Sequence, residues 1–153
     1  VRRLLSGCEY GEDKGIFGFG YTSSNVGMTN LVSNAGVVAT DVTAVGTARD
    51  GLAACGYGYD KGIFGFGSAG ATRLAVTNLV SNAGVVSTDV TGVGTARYGV
   101  GACEYDKDKG IFAYGYTGGK VSMSNLVSNV GVVASDVTGV GTARLQSAAC
   151  SFN

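Results

Sequence analysis

The chain is written three times over. DKGIFGFG stands at 13–20 and 60–67 and returns as DKGIFAYG at 108–115. TNLVSNAGVV stands at 29–38 and 77–86 and returns as SNLVSNVGVV at 124–133, and GTAR closes each unit at 46–49, 94–97 and 141–144. A period of this length constrains the architecture before any single residue is considered. Each copy must be one supersecondary unit that buries its apolar surface against the next. Cys8, Cys55, Cys103 and Cys150 are equivalent, at spacings of 47, 48 and 47. The whole difference is one extra residue between Gly67 and Val76, which marks the loop with the fewest constraints on its backbone. Residues 1–153 therefore read as one repeat domain: a partial strand at 1–12, then repeats at 13–59, 60–107 and 108–153. Arg2–Cys8 aligns with Arg49–Cys55, Arg97–Cys103 and Arg144–Cys150, so one strand is present a fourth time.

The segments GIFGFG, VTNLVSN and GVVSTDV are short and rich in β-branched or aromatic residues, and turn residues bound them. Asp-Lys-Gly at 13–15, 60–62 and 108–110 predicts a hairpin turn with a glycine free to take positive φ. Ser-Asn-x-Gly at 33–36, 81–84 and 128–131 predicts a second turn, and Thr43–Gly46 with its equivalents a third bend. Each unit then offers four strands: through the Cys, through IFGFG, through TNLVS, and from GVV toward TAR. Within IFGFG, Phe17 and Phe19 are expected on one face, with Ile16, Gly18 and Gly20 on the other. Neither face is polar, so both should be covered, each bulky face filling the flat face of the next unit.

Gly is 27 of 153 residues, about 2.5 times the usual share. With no Pro and 45% apolar residues, this glycine serves packing rather than disorder. The formal charge is zero and only 14% of residues are charged. No basic face is available to hold phosphates, so nucleic acid is not an expected partner. No apolar run reaches the roughly 20 residues of a membrane-spanning helix, so no membrane insertion is expected. Four equivalent cysteines in four copies sit too far apart for disulfides and read as small buried thiols. Free thiols favour the cytoplasm, or a virion assembled there.

The chain has no His, hence no histidine base, triad or imidazole metal ligand. No cofactor or metal is expected and the chain reads as a non-enzyme. Calcium would need roughly 6–8 oxygen ligands, and no dense acidic cluster occurs. FGFG lies inside a strand and lacks the Lys-Ser/Thr pair of a phosphate loop. Asp41, Asp89 and Asp136 each lie eight residues before Arg49, Arg97 and Arg144. These acids and arginines are expected to form a structural clasp within or between units. The loop that differs between copies carries Tyr21, Asn25, Arg73, Tyr116 and Lys120, the candidates for contact with a ligand or partner.

The order of these features resembles a kelch-type β-propeller repeat over essentially the whole chain. An Arg opens the unit (Arg49), small residues lead into a strand (Ala53, Ala54, Cys55), an apolar strand ends in glycines (63–67), and an asparagine-bearing strand follows (77–82). The resemblance implies an all-β fold of propeller blades: three four-stranded repeats of about 47 residues plus one duplicated strand. A β-trefoil or β-prism is the alternative. Propellers need about 4–8 blades, so three imply a homo-oligomer, such as a six-bladed ring of two chains, or further repeats of a longer chain. The expected function is a structural or binding module that self-assembles in a virion or appendage. The alternative is a lectin with one glycan site per blade.

Overall fold

A computed structural model describes residues 1–151. The last two residues of the third repeat, 152–153, lie outside the described part. The fold is all-β, and among the described residues there is no helix, hence none long and apolar enough to cross a membrane. Each unit forms one antiparallel sheet with its strands in sequence order. The first comprises β1 (Ser6–Tyr10), β2 (Lys14–Gly18) and β3 (Thr29–Val32). The second comprises β4 (Ala53–Tyr57), β5 (Lys61–Gly65) and β8 (Thr77–Val80). Its longer loop folds into a two-stranded hairpin, β6 (Ser68–Ala69) with β7 (Thr72–Arg73), which accommodates the extra residue. The third comprises β9 (Gly101–Tyr105), β10 (Lys109–Ala113) and β11 (Ser124–Val127).

Three local expectations are corrected. The segment from GVV toward TAR runs beside the third strand but touches it only at single bridges, Val32 with Val38 and Thr29 with Val42, and equivalently in the other units. Each unit therefore has three ladder strands. The ladder is interrupted because an asparagine side chain enters it: Asn78 Nδ2 donates to the Ser87 carbonyl and to Asp89. The first hairpin turns earlier than Asp-Lys-Gly. Left-handed residues fall at Gly11 and Glu12 and at Gly58 and Tyr59, while Lys14 and Gly15 already pair in β2. Phe17 and Phe19 do not share a face. Phe19 has φ 60°, Phe66 62° and Tyr114 64°, so the chain flips after the strand and turns the second aromatic to the opposite side.

That flip builds the core. The units stack face to face, β1 against β4 and β4 against β9. The sheets carry two apolar clusters, one per joint. Ile16, Phe19, Leu52 and Phe64 anchor the first, and Ile63, Phe66, Val100 and Phe112 the second. Phe64 lies over Gly18 and meets Phe19 edge-on at 5.2 Å; Phe112 lies over Gly65 and meets Phe66 edge-on at 5.2 Å. Each ring is wholly buried, a contribution of about 2–3 kcal/mol apiece. The expected fit of ring to flat face is met in part: Phe64 and Phe112 alone fill Gly18 and Gly65, and these belong to the preceding unit, while Phe19 and Phe66 lie on the other face. The cysteines follow the same rule. Cys8 packs on Gly62 and Cys55 on Gly110, whose missing side chains admit the sulfur. All four thiols are free; Cys55 is buried, Cys8 and Cys103 are half-buried and Cys150 is exposed.

Candidate functional site

The densest polar chemistry in the molecule sits at the joints. Arg49 enters the first joint as a fully buried cation. Its Nε donates to the Phe66 carbonyl at 2.8 Å, Nη1 to the Thr47 carbonyl at 3.1 Å and Nη2 to Asn78 Oδ1 at 2.7 Å. Its guanidinium carbon stands 4.1 Å above the Phe19 ring. Arg97 repeats the arrangement with the Tyr114 carbonyl, the Thr95 carbonyl, Asn125 and the Phe66 ring. Only a planar fork with five donors makes all of these bonds at once. The same contacts hold the left-handed aromatics: the Arg of one joint lies on the ring of one and binds the carbonyl of the next. Such a backbone costs about 1–3 kcal/mol and persists only where its surroundings fix it.

The acids complete the clasp. Asp89 accepts from the Thr47 amide and hydroxyl at 3.0 and 2.6 Å and from Asn78 Nδ2 at 2.9 Å, with Arg49 Nη1 3.9 Å away. Asp136 does the same for Thr95, Asn125 and Arg97. Burial pushes both carboxyls up, but the bonds from threonine, asparagine and arginine outweigh it and hold both below the usual value of 3.8. Arg49 and Arg97 therefore clasp the aspartate of the following unit. The pairs lie between units and not eight residues apart. Asp41 accepts from Asn30 Nδ2, and Asn30 Oδ1 in turn accepts from Arg2 at 2.6 Å. Arg144 lies over the Tyr114 ring and donates to its hydroxyl at 3.2 Å.

The loop residues singled out from the sequence also join neighbours. Asn25 donates to the Ser68 carbonyl and accepts from Gly70 N, tying the first loop to the β6–β7 hairpin. Arg73 stands 5.2 Å over Tyr116, which itself packs against Tyr98. Tyr21 is covered by Arg3 at 5.0 Å. Of the five candidates, Lys120 alone is exposed; the other four are half-buried in these contacts.

Two features escaped the sequence reading. The first is a carboxyl pair. Glu9, Gly56 and Glu104 fill the same slot after the cysteine in successive units. A side chain at Gly56 would run into both carboxyls, so its absence lets Glu9 and Glu104 meet across the middle unit. Burial, then the bond shared with Glu9, raises Glu104 to about 7. The alternation Cys-Glu, Cys-Gly, Cys-Glu was the available signal. The second is a cavity of about 550 Å³ on the outer face of the third unit, lined by Cys103, Ile111, Ala113, Leu126 and Ala149. Its walls are almost wholly apolar. Among the described residues, no three His, Cys, Asp or Glu side chains group as metal ligands. Comparison of the chain with protein-family models and with curated proteins finds no match.

Proposed function

We propose that this protein is a non-enzymatic structural module, a stack of kelch-like propeller blades that assembles with copies of itself. One observation carries the reading. The recurring side chains able to do chemistry, Arg49 and Arg97 with Asn78, Asn125, Asp89 and Asp136, are engaged in joining one unit to the next. Tyr116 and Asn25 of the variable loops bridge neighbouring units. Blades are supported by the sequential strand order within each sheet and by the nesting of first strands, β1 on β4 on β9. Three such units subtend part of a ring, and two chains complete a ring of six, within the usual range of about 4–8 blades. Sedimentation over a range of concentrations tests this: a two-chain species is expected, and a monomer at every concentration contradicts it.

A further inference from the structure

We propose that a second copy of this chain docks head-to-tail, its first-unit face closing over the apolar cavity of the third unit. The inference rests on the self-assembly just proposed and names the surfaces that mate. The two internal joints are the template, because both make the same set of contacts. Sulfur sits on glycine: Cys8 on Gly62, Cys55 on Gly110. An aromatic ring sits on glycine: Phe64 on Gly18, Phe112 on Gly65. Leucine and tyrosine cover a turn glycine: Leu31 and Tyr10 cover Gly84, Leu79 and Tyr57 cover Gly131. Threonine and arginine clasp asparagine and aspartate, as described above.

At the two ends of the stack this set is incomplete, although Arg2 already holds Asn30 of the first unit. The third unit offers Cys103 and Ala113 in the cavity wall, with Leu126 40% exposed. The first unit offers Phe17, 44% exposed where Phe64 and Phe112 are 0% exposed. It also offers Gly15 for the sulfur, and Gly36, where an added Cβ would meet nothing within 4 Å. Gly141, which precedes Thr142 and Arg144, likewise meets nothing, although Gly46 and Gly94 at the internal joints are covered by the Asp and Asn of the clasp. Asn30 and Asp41 are the matching pair on the first unit. The cavity is apolar and the ring that fits it is apolar, so no charge is stranded when they meet.

Two departures from the template shape the joint. Ala113 stands where Gly18 and Gly65 stand, so the incoming Phe17 ring rides one methyl higher than its internal counterparts. Residues 144–150 of one copy and 2–8 of the next are equivalent and address one seat. Arg144 takes the place that Arg2 holds on Asn30, which exchanges like for like, the cheap route to association between identical chains. Surfaces that differ and mate head-to-tail build a ring where the rotation closes and a filament where it does not.

The test uses the full chain and four proteins. Wild type should self-associate with concentration in sedimentation experiments. Phe17→Asp and Ala113→Arg, one at each end of the stack, should keep the native circular dichroism spectrum and each weaken association by at least about tenfold, the loss of one buried anchor. An equimolar mixture of these two variants should recover a pair, because each supplies the intact face the other lacks. Ala113→Gly should associate more tightly than wild type. If wild type associates but Phe17→Asp leaves its mass unchanged, or the mixture stays dissociated, the head-to-tail joint is overturned and self-assembly stands. If wild type is monomeric throughout, both fall.

Discussion

Arg49 and Arg97 are cations without exposed surface, and burial lowers both from the usual arginine value, Arg49 to about 10. Their removal would strand a carbonyl, an amide and a carboxylate in one joint. Arg97→Lys keeps the charge but lacks the fork, and is expected to destabilise the protein by about 3 kcal/mol in urea unfolding. Arg3→Lys, an exposed side chain whose contact is the single ring of Tyr21, should change stability by under about 0.5 kcal/mol. The carboxyls give a pH signature of two opposite signs. Asp89 and Asp136 are held low, so their contribution is present above the ordinary value of 3.8 and is lost as pH falls through their folded values. Glu104 is raised from 4.5 to about 7, so between those values the folded chain keeps a proton that the unfolded chain releases. Stability from this group therefore falls as pH climbs from about 4.5 to about 7. Thermal melts across that range should show the decline in wild type and a flatter profile in Glu104→Gln. An unchanged profile in the variant would remove the shared-proton pair from the account.

In the strand that follows the first hairpin, one sequence motif has two environments. Gly15 and Gly62 both open KGIFGFG, yet a Cβ on Gly15 would meet Val32 at 3.6 Å, an ordinary contact, while one on Gly62 would meet the Cys8 sulfur at 2.5 Å. Gly62→Ala should then destabilise by about 1–3 kcal/mol through overpacking, Gly15→Ala should be close to neutral, and Cys8→Ala combined with Gly62→Ala should regain part of the loss. Chemical denaturation of the three variants decides it. The contrast also marks what was legible in the chain. The repeats were readable because the letters themselves recur, and the Ser-Asn-x-Gly turns because each depends on residues close in sequence. The flip at Phe19 and Phe66 was not, because it is held by an arginine 30 or 31 positions further on. The fourth strand failed for a similar reason: its β-prone valines were legible, but the asparagine that interrupts the ladder competes from another strand. Of the candidate site, a clasp was expected of three aspartates and three arginines; Asp89 and Asp136 meet Arg49 and Arg97, while Asp41 and Arg144 lie elsewhere, since spacing along the chain says nothing of which unit supplies the acid.

At the scale of the molecule, the middle unit has a unit on each face, and β4 is buried along its whole length while β1 is buried only at Tyr10. Protection should follow that gradient, because each unit in a stack is stabilised by its own neighbours. Hydrogen exchange is expected to be slowest at Ile63 and Phe64 and faster in β1. Phe112→Ala should cost about 3–5 kcal/mol and Phe17→Ala under about 1, although both stand at the same place in their repeats. Equal costs would mean that the units fold as independent modules rather than as a stack. The line of thiols has a consequence for reactivity. Burial lifts Cys8 to about 12 and Cys55 well above its usual value, so neither yields much thiolate, the form that reacts. Cys150 faces solvent. Alkylating reagents and oxidants should therefore consume this protein from one end, and the rate at which that end is modified becomes a direct gauge of whether anything is standing on it.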